Sequence, residues 1–188
     1  MARIARVAVP DFPHHVVQRG VRRMDVFFSA DDRQEYLNLL SQSASKHALD
    51  FLAWCLISNH FVVVPRQERS LPRTFGEVHR RYTRRVNFRE GWRGHLWQER
   101  FHSYPMDERH LLAAVRYVER NPVDAGLVQR EEDWEWSSAR YLLGINAADR
   151  LVRERSSFGL VNDWREYLTD ADGPDNTNYE LHFARDGL

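Results

Sequence analysis

The chain has 188 residues, of which 43% are hydrophobic, so it can form one domain with a substantial core. Its longest uninterrupted apolar run covers only the seven residues 51–57, which argues against a membrane helix, and its N-terminus lacks the apolar core of a secretory signal, so we expect a cytoplasmic protein. The formal net charge is zero, and a single cysteine, Cys55, excludes an internal disulfide.

Turn residues divide the first part of the chain into short elements. The β-branched segment 14–19 predicts a first strand that ends at a glycine. Ser29 begins a capping-box pattern and predicts a helix that continues to about residue 47. The apolar segments 50–57 and 60–65 then predict two strands joined by a tight hairpin.

The following segments predict a second helix, an extended segment and a third helix. Residues 71–88 place apolar side chains on one helical face, residues 94–104 are extended, and Asp107 is the predicted N-cap of a third helix. This helix is expected to end near Asn121, because Pro122 restricts the residue before it. The order β-α-β-β-α-β-α predicts an α+β fold: a ferredoxin-like antiparallel sheet with helices packed on one face and its first and third strands as central neighbours.

We expect a main domain at residues 1–144 and an acidic C-terminal extension at residues 145–188. Residues 66–109 hold eleven arginines and six acids, whereas residues 129–188 hold seven arginines and thirteen acids. In the extension, "WREYL" is predicted to be helical and "TDADGPDNTN" to be a loop or disordered. A basic body with an acidic tail indicates a nucleic-acid surface, although solvated charged helices would give the same composition.

Tyr117 and Asn121 are four residues apart and therefore lie on one face of the third predicted helix. Tyr117 stands between Arg116 and Arg120, whose charges would favour a phenolate and attract a phosphodiester. These features make Tyr117 a candidate nucleophile, whereas its apolar neighbours are equally typical of a core aromatic. Tyr82 is the alternative nucleophile, but its helical spacing favours a place in the core.

The sequence resembles the family of REP-associated tyrosine transposases, relatives of insertion-sequence transposases with one catalytic tyrosine and a His-hydrophobe-His metal motif. The matching stretches are "HHVVQRGVRRMDVFF", "CLISNHFVVV", "GHLWQERFHSYPMDERHLLAAVRYVERNPVDAGLV" and "WEWSSARYLLG". They cover roughly residues 3–144 in the order and spacing of the family. The block "RYVERNPVDAGLV" with the upstream "LWQERF" is the most specific part of the resemblance.

This resemblance implies a mechanism and a cofactor. In such enzymes a tyrosine attacks a phosphodiester of single-stranded DNA beside a hairpin, leaving a 5′-phosphotyrosine link and a free 3′-hydroxyl. Tyr117 matches this tyrosine, His60 matches the first histidine of the metal motif, and Asn121 matches a position that supplies a further ligand. The implied cofactor is Mg²⁺ or Mn²⁺, which polarises the scissile phosphate.

The sequence departs from the family at the second histidine of the metal motif, where it has Val62. Residues two apart on a strand share a face, so the two histidines of the family can hold one ion, whereas valine cannot bind a metal. We therefore expect metal binding to be weak or lost. His14 or His15 on the neighbouring strand is a candidate replacement ligand; otherwise DNA phosphate and water would complete the shell around His60 and Asn121.

The arginines are expected to neutralise DNA phosphates, which would make binding strongly dependent on salt. Aromatic side chains among them, such as Trp92, Phe101 and Tyr104, would either stack on unpaired bases or pack between helix and sheet. The expected DNA-binding residues are Arg22, Arg23, Arg80, Arg81, Arg84, Arg85, Arg116, Arg120, Trp97 and Arg100.

Three functions are compatible with the sequence. The first is a transposase that nicks and rejoins hairpin-containing single-stranded DNA, acting as a monomer or a homodimer. The second is a metal-impaired, domesticated descendant that binds DNA hairpins with little or no cleavage. The third is a ferredoxin-like interaction module that no longer binds nucleic acid, which the retained Tyr117, Asn121 and arginines disfavour.

Overall fold

The structure is a computed structural model that describes residues 8–57, 59–154, 161 and 163–169. Two short 3-10 helices cover Val21–Arg23 and Glu131–Asp133. The other elements, in chain order, are β1 (His14–Val17), α1 (Ala30–His47), β2 (Leu49–Cys55), β3 (His60–Pro65), α2 (Ser70–Glu90), β4 (His102–Pro105), α3 (Glu108–Asp124), α4 (Ala139–Leu142) and α5 (Trp164–Thr169).

The four strands form one antiparallel sheet in the order β2-β3-β1-β4. The central strands are β1 and β3, with Val17 opposite His60 and His15 opposite Val62. This order confirms the predicted ferredoxin-like sheet and the central position of the first and third strands.

Helices cover both faces of the sheet. On one face, the ring of Phe61 contacts Tyr36 of α1 and Phe75 of α2, with ring centroids 6.5 and 5.4 Å away. His60 is the next residue along β3 and points the other way, where its ring lies 5.3 Å from that of Tyr117 of α3. The helices α1 and α2 therefore share one face, whereas α3 covers the other, which corrects the expectation that the helices pack on one face. Every residue of β3 is buried, which requires cover on both sides.

The boundaries of the helices follow local chemistry. The side chain of Ser29 accepts a hydrogen bond from the Asp32 N–H at 3.2 Å, which confirms the predicted start of α1. The expected end of α3 near Asn121 is wrong, because α3 continues to Asp124 with Pro122 inside it. A proline removes one backbone donor, and in the last turn the chain tolerates this loss because the Ala125 N–H still donates to the Asn121 carbonyl at 3.0 Å.

Part of the C-terminal extension packs on the main domain. The indole N–H of Trp54 donates to Asp149 at 2.9 Å, and Val152 pairs with Phe51 of β2 in an isolated bridge. The predicted helix in "WREYL" is confirmed as α5. Residues 170–178, in the predicted polar loop, lie outside the described residues. Within the described part of the chain, no helix has both the length and the apolar character needed to cross a membrane.

Candidate functional site

Two histidines and a tyrosine meet on the α3 side of the sheet. His60 begins β3, and His15 lies diagonally across from it on β1, because the register pairs His60 with Val17 and His15 with Val62. Nε2 of His15 lies 3.2 Å from Nδ1 of His60. Tyr117 of α3 presents its ring edge-on to both imidazoles, with ring centroids 5.9 Å from His15 and 5.3 Å from His60.

Both imidazoles are buried and uncharged. His15 is 0% exposed and His60 is 2% exposed. Burial, reinforced by the charge of Arg19, lowers the pKa of His60 to about 3. Burial and the neighbouring His60 also hold the pKa of His15 well below its ordinary value. At neutral pH both rings are therefore neutral, the form in which imidazole binds metal ions.

The spacing of the two histidines fits a shared cation. An ion about 2.1 Å from two nitrogens, at ligand angles of 90° to 109°, holds those nitrogens about 3.0 to 3.4 Å apart. The separation of 3.2 Å between His15 Nε2 and His60 Nδ1 lies in this range. Among the described residues no group of three or more His, Cys, Asp or Glu side chains is suited to a metal, so any site here has at most two ligands of these types.

Val62 and His14 flank this site without contributing to it. Val62 is fully buried and lies opposite His15, so His15 occupies the cross-strand position next to the missing second histidine. His14, the other candidate ligand, points to the opposite face. Its Nδ1 donates to the Phe12 carbonyl at 2.9 Å, and its Nε2 accepts from the Val9 N–H at 3.2 Å. The expectation of a metal-binding role for His14 is therefore wrong.

Arg116 and Arg120 both contact the C-terminal segment. Arg116 immediately precedes Tyr117 and points about 100° away from it around the helix, whereas Arg120 follows Tyr117 by three residues. Arg116 is 4% exposed, and its guanidinium lies 5.4 Å from the ring centroid of Tyr167 in α5. Arg120 donates to the Leu168 carbonyl at 2.8 Å and to Asp124 at 3.0 Å. Both arginines hold the C-terminal segment against α3, which corrects their expected role as surface DNA contacts.

Two aromatic residues considered for chemistry belong to the core. Trp97 is 7% exposed and packs against His79 and Tyr36, with ring centroids 4.4 and 5.8 Å away, so its expected stacking on DNA bases is wrong. Tyr82 is fully buried and its hydroxyl donates to the Val26 carbonyl at 2.7 Å. This burial confirms that Tyr82 is a core residue, and it raises the pKa of Tyr82 well above its ordinary value.

The remaining arginines are exposed, but they lie in different places. Arg22 and Arg23 lie in the 3-10 helix that follows β1, and Arg100 precedes β4. The arginines of α2 lie on the layer of the sheet opposite Tyr117; they are Arg80, Arg81, Arg84 and Arg85. The structure therefore does not gather the expected basic residues around the tyrosine.

Sequence reasoning missed three polar residues near the site. Arg19 acts on His60 electrostatically, and Asn59 is 1% exposed at the start of β3. Glu119 of α3 is fully buried and accepts hydrogen bonds from Ser138 at 3.2 Å and Trp164 at 2.9 Å. Burial raises the pKa of Glu119 to about 8. The only signal in the sequence is that Arg19 and Asn59 lie next to the ends of predicted strands. Glu119 has no such signal.

Comparisons with known proteins find a matching family model and a similar solved structure. Residues 8–121 match the family model described as "Transposase IS200 like". A solved structure described as "Structure of the REP associates tyrosine transposase bound to a REP hairpin" is similar with a TM-score of 0.62 and 16% sequence identity, covering 82% of this chain and 92% of that chain. No curated protein matches the sequence. At this identity the structural similarity shows a shared fold.

Proposed function

The chain belongs to the family of IS200-like transposases, and we propose that it binds hairpin-containing single-stranded DNA and nicks and rejoins it through a 5′-phosphotyrosine link. The observation that carries this proposal is the cluster of His15, His60 and Tyr117 on one face of the sheet. A solved relative bound to a REP hairpin supports a DNA hairpin as the partner. The proposal assigns this activity to residues 1–144, with residues 145–188 as an acidic extension.

Tyr117 is the proposed nucleophile. Its hydroxyl oxygen attacks the phosphorus of a phosphodiester, and the bond from phosphorus to the 3′-oxygen of the preceding nucleotide breaks. The phenol of Tyr117 loses one proton, and the departing 3′-oxygen gains one to become a hydroxyl. The 5′-phosphate stays esterified to Tyr117 until a 3′-hydroxyl reverses the reaction and rejoins the strand. Tyr117 is half-buried beside the histidines, so the attacked phosphate must enter this part of the site.

The residues around Tyr117 suit a divalent cation. Mg²⁺ or Mn²⁺ held by His60, His15 and Asn121 would stabilise negative charge on the non-bridging oxygens of the phosphate. His15 supplies the imidazole that Val62 cannot, since it lies opposite Val62 on the same face. Asn121 lies one helical turn after Tyr117 and is half-buried. Hard cations prefer oxygen ligands, so we expect binding to depend on the DNA phosphate and on water as well.

The second candidate function is a metal-impaired protein that binds DNA hairpins and cleaves them poorly. Val62 favours this alternative, because the strand that carries His60 provides no second ligand. The close contact between His15 and His60 also favours it, because a hydrogen bond between the two rings competes with binding of a cation. The two functions share the DNA partner and differ only in whether Tyr117 forms a covalent link.

A covalent-adduct assay distinguishes the two functions. The protein is incubated with labelled hairpin oligonucleotides and Mn²⁺ or Mg²⁺, and a denaturing gel is examined for a protein–DNA band. The transposase predicts a band that Tyr117→Phe abolishes and that the matched core variant Tyr82→Phe retains. A band that appears only after Val62→His supports the metal-impaired alternative. If no hairpin shifts in mobility at low salt, both functions are wrong.

A further inference from the structure

A cavity of about 330 Å³ opens beside the start of β3, next in sequence to His60. Arg19 and Arg23 supply positive charge to its lining, Val26 and Ile57 supply an apolar wall, and Asn59 and Asp25 supply oxygen atoms. Its volume lies in the range of small-ligand sites. The mixture of an apolar wall, cations and hydrogen-bond acceptors has the chemistry of a nucleotide site, since a nucleotide combines a flat base with an anionic phosphate.

The loop that forms this cavity is closely packed. A side chain at Gly20 would place its Cβ 2.1 Å from the Met24 carbonyl oxygen, so the backbone turns back on itself there. The next turn of the loop holds Arg22 and Arg23 in the left-handed region, at φ 54° and 59°. The cavity wall is therefore formed by a tight backbone turn, which holds the guanidinium-bearing residues beside the end of β1.

Asn59 provides the second observation that points to a ligand. Its side chain is 1% exposed, and its Oδ1 has no hydrogen-bond partner among the described residues. The backbone carbonyl of Asn59 is already used, because it accepts from the Gln18 N–H at 3.2 Å. A buried amide oxygen without a donor is unfavourable, so a ligand that brings an N–H group to this oxygen would gain affinity.

The cavity also lies close to the proposed catalytic site. Arg19 lies two residues after Val17, which pairs with His60, and it lines the same cavity as Asn59, the residue before His60, so an anion bound at Arg19 lies near the histidine pair. Arginine binds phosphate with paired, charge-assisted hydrogen bonds. A phosphate at Arg19 would therefore lie on the same side of the histidine pair as the start of β3.

We propose that this cavity binds one unpaired nucleotide of the DNA substrate, a role that rests on the proposed function and deepens it. Its phosphate contacts Arg19 and Arg23, its base lies against Val26 and Ile57, and an amino group of the base donates to Asn59. Adenine, cytosine and guanine carry an exocyclic amino group, whereas thymine does not. Thymine has only the imino N–H at N3, which lies between two carbonyl oxygens that the Asn59 oxygen would repel. The cavity thus favours an amino-bearing base over thymine at one position beside the cleavage site.

The test measures binding of the four deoxynucleoside 5′-monophosphates and of inorganic phosphate to the full-length protein by NMR titration. We expect dAMP, dCMP and dGMP to bind about fivefold more tightly than dTMP, the effect of one net hydrogen bond. Asn59→Gly should remove this difference without disturbing the backbone, because glycine tolerates the φ of 56° at this position. Arg23→Gln should weaken all four nucleotides alike, whereas Arg73→Gln, at an exposed arginine of α2 outside the cavity, should change nothing.

Three results would overturn the nucleotide site. They are equal affinity for dTMP and dAMP, a preference that survives Asn59→Gly, and inorganic phosphate binding as tightly as dAMP, which would make the cavity a simple anion site. The test is independent of cleavage, because Tyr117→Phe should bind the monophosphates like the unaltered protein. A base preference without a covalent adduct would therefore reject the transposase activity and keep the cavity, and the reverse result would reject the cavity alone.

Discussion

Replacing His15 with valine tests whether this histidine serves as the second metal ligand. In the structure His15 Nε2 lies 3.2 Å from His60 Nδ1, and His15 lies opposite Val62. The His15→Val variant leaves one imidazole at the site. The double variant His15→Val/Val62→His moves the second imidazole across the strand pair, to a Cβ about 4.5 to 5.5 Å away.

The expected magnitude follows from the role of a direct ligand. Loss of even an outer-shell partner of a metal ligand typically weakens metal binding by 10-fold to 100-fold. Loss of His15 as a direct ligand should therefore reach about 100-fold in Mn²⁺ affinity, or about 2.8 kcal/mol at about 1.4 kcal/mol per factor of ten. The double variant should recover most of this loss, because Val62→His restores two imidazoles on one face.

The assay measures free and bound Mn²⁺ by electron paramagnetic resonance, with a hairpin oligonucleotide present, and compares it with the yield of covalent adduct. His14→Val is the matched control, since His14 is also fully buried on β1 but points to the opposite face. Both single variants lose hydrogen bonds of a buried ring, which costs about 1 to 3 kcal/mol of stability, so thermal unfolding is recorded for each. Unchanged Mn²⁺ affinity in a folded His15→Val variant, or an equal loss in His14→Val, would refute the assignment of His15.

Three further predictions concern stability and DNA binding. Desolvation raises the pKa of Asp32, but hydrogen bonds from Arg89 and from a backbone N–H outweigh it and hold the pKa below its ordinary value. The free energy of urea unfolding should therefore fall as the pH decreases below about 4, and Asp32→Asn should flatten this dependence. An unchanged pH dependence in Asp32→Asn would show that the Asp32–Arg89 pair does not cause it. Tyr82→Phe removes the 2.7 Å hydrogen bond to the Val26 carbonyl and should lower the free energy of unfolding by about 1 to 2 kcal/mol, whereas no change would mean that water replaces the donor. Arg22→Gln should reduce the slope of log affinity for single-stranded DNA against log salt by about 0.7, the value for one phosphate, and an unaltered slope would show that Arg22 makes no such contact.

Local sequence patterns predicted much of this fold. The capping pattern at Ser29 predicted the start of α1, and the apolar segment 60–65 predicted β3. The order of strands and helices then favoured a ferredoxin-like sheet, which the structure confirms. The prediction that the helices pack on one face is wrong for α3, which covers the second face, and the continuous burial of β3 indicates that both of its sides must be covered.

Side-chain direction on α3 required the tertiary structure. Arg116 and Arg120 stand beside Tyr117 in sequence, yet one packs under Tyr167 and the other binds the Leu168 carbonyl. The hydrogen bonds of the buried Glu119 also required the tertiary structure, because its partners Ser138 and Trp164 lie 19 and 45 residues away in the chain. Partners so distant cannot be read from helical spacing, which relates only residues three or four positions apart.

The sequence by itself determined the candidate nucleophile Tyr117, the one histidine of the metal motif, His60, and the replacement of the second histidine of that motif by Val62. Only the tertiary structure decided that His15, and not His14, stands beside His60. The physical reason is the register of β1 against β3: strand alternation gives the two neighbouring histidines opposite faces, and the pairing of His15 with Val62 selects the one that faces α3. A change of register by one residue would have exchanged their roles.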